Sequence, residues 1–298
     1  MLNLFLFSTT VLIWGSTWYA ITFQLGEVPL EWSIVYRFSA SAAIMFVFCL
    51  VTKSPLRFSW RQHRVFAGLG LFLFSANYYF TYLSIEYLTS GLVAIVFSLL
   101  ALMNIFNGVL FLKRPLEWRM VAVSLVGLFG LVLIFWPDLK SFSFGSLAMI
   151  GLGTAILATW LASLGNTVAA SKTAQPLPLL PTNAWGMLYG SIFLTIFAVA
   201  SGIKPGFDTS APYLISLAYL AVFGTVIAFS CFLMLLSRAG LERAGYVAVA
   251  FPVVALTIST IFEGYQWTLL SLAGLVLVLG GNVVVLRTRA RAEPCPGE

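Results

Sequence analysis

The sequence predicts an all-α integral membrane protein: ten transmembrane helices as two inverted five-helix repeats around a central cavity, with both termini cytoplasmic. Three observations lead there. The composition is too apolar for a soluble core, charged residues cut the chain into runs of bilayer length, and residue matches recur at offsets near 146 and 151.

Of the 298 residues, 60% are hydrophobic and 9% charged, and mean hydropathy is +0.99. That is more apolar surface than one soluble domain can hide. A helix of about 20 residues crosses ~30 Å of hydrocarbon. The first run, Asn3 to Phe23, precedes the polar Gln24 to Glu27, and the second, Trp32 to Thr52, lies between Glu31 and Lys53. Arg64 to Ile85 ends at Glu86, Ser90 to Leu112 ends at Lys113, and Trp118 to Trp136 ends before Asp138. Phe144 to Ala170 follows Lys140, Leu179 to Gly202 ends before Lys204, and Ala211 to Leu236 ends before Arg238. Arg243 to Phe262 and Trp267 to Leu286 complete the set. A closed β-barrel would need short segments of alternating polarity, which these runs lack.

Numbering the connections alternately sorts the cations. One side collects Lys53, Arg57, Arg61, Arg64, Lys113, Arg114, Arg119, Lys172, Arg238, Arg243, Arg287, Arg289 and Arg291, and the other only Lys140 and Lys204. The crowded side reads as cytoplasmic. Glu27, Glu31, Glu86, Asp138, Asp208 and Glu263 then fall outside. The net charge of +6 has the same origin and gives no sign of nucleic-acid binding. MLNLFLF has no charged leader and reads as the start of the first helix, not as a cleaved signal. Cys49, Cys231 and Cys295 suggest neither a disulfide framework nor a thiolate metal cluster. Connections as short as EYLT and EGYQ leave the activity within the bilayer.

Trp14 and Trp160 stand 146 apart, as do Arg37 and Asn183; Phe111 and Phe262, Arg114 and Tyr265, and Gly130 and Gly281 stand 151 apart. These matches divide the chain into a first repeat over 1–137, a second over 144–287 and a short basic cytoplasmic tail over 288–298. Five crossings per copy force the second copy to enter from the opposite side. Inverted repeats are a recurring transporter plan, with a site near the midplane and access alternating as one bundle rocks on the other.

WGSTW at Trp14 to Trp18, and Arg37 followed by Phe38, resemble the first-helix and second-helix signatures of the EamA branch of the drug/metabolite transporter superfamily. FLKRPLEW with GLFGLVLIF, and AFPVVALTISTIFEGYQWT with LAGLVLVLGG, are similar to that family's proline, short turn and glycine-rich last helix. The resemblance covers essentially the whole chain. It implies a multi-pass carrier of the bacterial inner membrane that exports amino acids or similar metabolites, with the YddG-like amino-acid exporters as the nearest group. Where the family usually places a glutamate in the turn, this chain has Arg114 and Tyr265, and Ala101 stands where the second copy has Pro252. No role for that glutamate carries over.

Arg37 lies five residues past Trp32, about 7 to 8 Å into the helix. It either snorkels or faces the cavity, where its fork of donors suits a carboxylate. SANYYFTY puts Asn77, Tyr78 and Tyr82 inside the third span, the two tyrosines on one face. Tyr and Trp walls with amide and hydroxyl donors suit a zwitterionic or mixed polar and apolar solute. Trp14, Ser16, Tyr19, Trp160, Asn166, Asn183 and Trp185 extend this theme, each with helix packing as the alternative. Ser98, with Asn104 and Asn107, serves either the site or interhelical hydrogen bonding. The many phenylalanines read as lipid-facing bulk.

No Asp or Glu lies deep in any span, whereas ion-coupled carriers usually keep ionisable groups there. Facilitated diffusion is therefore expected, and export of cationic drugs is disfavoured. The single histidine, His63, lies in a basic loop, so no intramembrane hydrolase constellation is available. A nucleotide-sugar or organophosphate exchanger would want several cavity cations, and only Arg37 is offered. The expected partners are a small solute, amino acids foremost, and the lipid bilayer; no cofactor, metal, nucleic acid or oligomer is required.

Overall fold

The structure is a computed structural model that describes residues 1–113, 115–116, 118–136, 147–174 and 176–292. Arg114, Asp138, Lys140, Phe144 and the final six residues, Cys295 among them, lie outside the described residues. Among those described, every regular element is helical.

Local signals start and stop the helices. Helix α1 is Leu2–Thr22, and α2 is Leu30–Val51, entered from Pro29. Helix α3, Trp60–Leu71, begins earlier than the hydropathy run because Ser59 and Gln62 close a capping box that satisfies two orphan amide donors. It continues through a wide π-helical turn, Phe72–Ala76, into α4, Asn77–Ile85. The fourth hydropathy run is broken into α5, Ser90–Phe97, and α6, Leu100–Leu112, with a bend of 41° between their axes. Lys113 ends α6 in the left-handed conformation, φ 54°. Helix α7 is Trp118–Ile134, α8 Leu147–Ala169 and α9 Leu179–Ala200. Helix α10, Ala211–Ala218, opens at Ser210, where Asp208 accepts hydrogen bonds from the backbone N–H and hydroxyl of Ser210 at 2.7 and 2.6 Å. A second π segment, Tyr219–Ile227, leads into α11, Ala228–Phe262, and α12 is Leu269–Ala292.

Among the described residues, five helical stretches are each long and apolar enough to cross a bilayer alone, and the bent α5–α6 pair makes a sixth if counted as one span. Shorter apolar helices occupy Leu125–Ile134, Ala250–Phe262 and Leu269–Gly281. Helix α11 corrects a sequence expectation in form. Its residues are helical over all 35 positions, with no non-helical connection where one was expected after Leu236, yet a straight rod of that length would measure about 50 Å. Phe229 and Phe232 meet Trp14, while Phe251 meets Trp18 and Phe262 meets Tyr19, all within five residues of α1. The helix therefore folds back into two legs that both lie along α1.

The main packing contacts join residues before 137 to residues after 146: α1 with α11, α2 with α9, α4 with α8, α5 with α11, and α7 with α12. The two halves interdigitate. In a bilayer the driving force is close packing and satisfied polar groups, since lipid tails are as apolar as Leu. The Gly186 and Gly190 pair allows this on α9. A Cβ at Gly190 would stand 2.7 Å from the Cβ of Phe74, so only hydrogen lets the first π segment approach. Hydroxyls inside the helices bond back to their own backbone, as with Thr10 to the Leu6 carbonyl, Ser41 to Arg37 and Thr159 to Ala155, which removes a polar cost in lipid.

Candidate functional site: an aromatic cavity with an unpaired arginine

A cavity of about 310 Å³ lies where α1, α2, the α3–α4 pair, α8 and both legs of α11 converge. Eight of the eighteen residues of its wall are aromatic. Trp14 and Trp18 are one turn apart on α1, Phe97 and Leu100 flank the α5–α6 bend, and Phe229, Phe232 and Phe251 come from α11. Phe97 and Leu100 match Ala248 and Phe251 at the offset of 151, and all four line the cavity. The two halves thus contribute like positions on this wall.

Each π segment borders the site. The first delivers Leu73 and Phe74 to the wall and is followed by Asn77, Tyr78 and Thr81. Side chains of the first half also bond to carbonyls of the second: the Trp14 indole donates to the Gly224 carbonyl at 3.2 Å, and the Ser41 hydroxyl to the Ala221 carbonyl at 3.3 Å. These two bonds tie α1 and α2 to the second π segment. π segments recur at functional sites because they displace side chains from the α register.

Arg37 is the charged group of the wall. It is 2% exposed, and among the described residues its one hydrogen-bond partner is the Tyr82 hydroxyl, 3.4 Å from Nη1. Its guanidinium carbon lies 4.8 Å from the centre of the Tyr78 ring and 5.4 Å from that of Phe38, and its Nε is buried without a partner. Burying a lone cation costs several kcal/mol, and a cation–π contact returns about 0.5 to 2 kcal/mol. The aromatic cradle does not close that gap. An anion in the cavity would.

The other sequence candidates distribute as follows. Trp14, Asn77, Tyr78 and Asn166 line the cavity with Arg37. Tyr82 is fully buried behind the guanidinium. Ser16 bonds to the Tyr219 hydroxyl at 2.6 Å, and Tyr19 stacks on Phe262, both outside the wall. Ser98 is buried at the bend with its hydroxyl unpartnered. Asn166 donates to the Asn104 side-chain oxygen at 3.4 Å and Asn107 to the Ser163 hydroxyl at 2.8 Å, a two-rung tie between α6 and α8. Trp160 is 44% exposed, and Asn183 is half-buried and off the wall. Trp185 joins a separate cluster with Phe46, His63, Phe66 and Tyr189.

Sequence reasoning passed over Trp18, Phe97, Phe229, Phe232 and Phe251. Trp18 carried a signal, being four residues from Trp14 and so on its face. The phenylalanines carried none, because a cavity wall and a lipid-facing surface use the same residue type. Among the described residues no group of three or more His, Cys, Asp or Glu converges as a metal site would require.

Comparison with known proteins agrees with this architecture. A crystal structure 18% identical in sequence superposes with a TM-score of 0.69 over 98% of this chain and 99% of its own, which shows a shared fold. An "Uncharacterized transporter" of Archaeoglobus fulgidus is 26% identical over 94% of this chain and 97% of its own length. A "Probable amino-acid metabolite efflux pump" of Escherichia coli is 25% identical over 94% of each. The model of the EamA-like transporter family matches twice, over residues 1–136 and again over 149–287. With a match across each half and helices that interlock around one cavity, the chain belongs to the EamA-like transporter family, as a multi-pass membrane protein.

Proposed function

We propose that this transporter exports small carboxylate-bearing metabolites, amino acids among them, across the bacterial inner membrane, by alternating access and without ion coupling. The observation that carries this reading is Arg37, a buried cation facing an aromatic cavity with no counter-charge beside it. A carboxylate there would gain a charge-assisted, bidentate partner, while the aromatic wall takes an apolar side chain. The volume of about 310 Å³ falls at the small end of ligand cavities, which span roughly 300–1,000 Å³. That favours a metabolite of amino-acid size over a nucleotide sugar, whose phosphates would also want more cations than the wall offers. The name of the Escherichia coli relative points the same way.

Ten crossings in two inverted repeats, with both termini cytoplasmic, belong to the same reading. Reciprocal packing supports it: α1 lies on α11 as α8 lies on α4, α2 lies on α9, and α7 lies on α12. Rocking one half against the other would expose the cavity to each side in turn. The test is flux in proteoliposomes holding the purified protein, with a panel of radiolabelled amino acids, with and without an imposed pH gradient. Saturable flux that ignores the gradient is expected. Flux that tracks the gradient would remove the uncoupled mechanism, and normal flux by both Tyr78→Ala and Tyr82→Ala would move the site elsewhere.

A further inference from the structure

We infer that the cavity selects aromatic monoanions, carboxylates without a charged amine such as arylacetates and arylpropionates, over zwitterionic amino acids of the same size. This rests on the reading that a carboxylate docks on Arg37 and asks what the rest of the wall does for an α-ammonium.

The wall offers an ammonium no charge. Of the ten acidic residues, the five whose side chains are described, Glu27, Glu31, Glu86, Asp208 and Glu263, lie in connections or at helix ends, and none lines the cavity. Glu263 is already engaged, taking hydrogen bonds from the Ser90 amide at 3.1 Å and the Ser90 hydroxyl at 2.6 Å. In sequence, the other five fall in connections, in the α11 reversal or in the tail. The wall's neutral acceptors are also partly committed. Asn77 Oδ1 accepts from the Thr81 hydroxyl at 3.3 Å, and the Gly224 carbonyl beside the wall accepts from the Trp14 indole.

An ammonium brings three donors and no acceptor. On an α-amino acid it lies on the carbon next to the carboxylate, so docking that carboxylate holds it within a few ångströms of the guanidinium, where like charges repel. Aromatic faces would return about 0.5 to 2 kcal/mol against a desolvation cost of several kcal/mol. A net charge of −1 neutralises Arg37 and leaves no second charge to bury. The rest of such a molecule meets Trp14, Trp18, Phe97, Phe229, Phe232 and Phe251.

The test uses three compounds with one aromatic body, 3-phenylpropionate, L-phenylalanine and 2-phenylethylamine, in equilibrium binding to the purified full-length protein in detergent, followed by calorimetry. The expected result is saturable binding of phenylpropionate at least ~10-fold tighter than phenylalanine, with none for the amine. The isosteric Asn77→Asp, which brings a carboxylate to the wall, should narrow that preference by about 10-fold or reverse it. Phenylalanine binding as tightly as phenylpropionate would overturn the inference while leaving a carboxylate carrier in place. A preference untouched by Asn77→Asp would overturn its electrostatic basis. No saturable binding of either carboxylate, or binding of the amine alone, would overturn both this inference and the reading it rests on.

Discussion

Two aromatic clusters of similar make-up, one around Arg37 and one around His63, differ in what they leave unfinished. Around His63 the rings close on one another, with centroid separations of 4.7 Å to Trp185, 5.4 Å to Phe66 and 6.0 Å to Tyr189, and the histidine Nδ1 meets the Tyr189 hydroxyl at 3.1 Å. This knot joins the start of α3 to α9 and so ties the two halves. Around Arg37 the rings stand back from a void, and the cation holds one long hydrogen bond. Aromatic density is common to both. A void beside an unpaired charge belongs to one, and that distinguishes a binding site from a packing knot.

The sharpest way to break this comparison is to exchange the consequences. Arg37→Gln should reduce carboxylate flux about 30-fold or more, since losing one partner of a desolvated charge pair costs ~2–5 kcal/mol. Trp185→Ala should leave KM within about twofold while lowering the unfolding temperature in detergent, a truncation worth ~2–4 kcal/mol. The reverse pattern would put the site at the His63 cluster. Tyr82→Phe is expected to act on transport by a smaller amount, roughly five-fold, because it removes one hydrogen bond of about 1 kcal/mol from the guanidinium; an unchanged flux would mean that Tyr82 does not hold Arg37 in its working position. Gly224→Ala sharpens the same boundary. Its Cβ would stand 2.7 Å from the Thr17 methyl and 3.7 Å from Arg37 Nη2, so affinity should fall about three-fold, with stability down by ~1 kcal/mol from overpacking.

The smallest effect lies outside both clusters. Hydrogen bonds from Ser210 hold the Asp208 carboxyl below the usual carboxylate range. A depressed acid stabilises the fold above its unfolded value, about 3.9, and that contribution is lost as pH falls through its folded value. Asp208→Asn should therefore lower the unfolding temperature slightly at pH 6, and the gap to the wild-type chain should vanish in acid. A gap that stays constant with pH would assign the effect to something other than the charge.

Much of the fold is legible in the sequence because a bilayer sets a simple rule of length and polarity. Leu2–Thr22, Leu30–Val51, Leu147–Ala169 and Leu179–Ala200 fall within a few residues of the hydropathy runs. The α5–α6 bend is not legible, since no proline or glycine marks Ser98 and Leu99. The turn within α11 is legible as the gap between the runs ending at Leu236 and starting at Arg243, but that the backbone stays helical through it is not. Within the site, polar residues in the wrong solvent are the readable part: Arg37, Asn77 and Tyr78 attract attention because they are costly in lipid. Which of many tryptophans and phenylalanines surround them depends on helix rotation, and residue type alone does not separate Trp160 or Trp185 from Trp14.

The wide turns at Phe72–Ala76 and Tyr219–Ile227 also govern where the molecule can breathe. A π turn spaces its backbone bonds over five residues, with the Thr225 hydroxyl also reaching back five to the Leu220 carbonyl, and it relaxes to the α register by slipping one residue. In the second turn the carbonyls of Ala221 and Gly224 also accept from side chains of the other half. Any relative motion of the halves loosens those two donors first. The amides of this turn should then be the earliest in the membrane interior to trade their protons with water, ahead of uninterrupted helices such as α2.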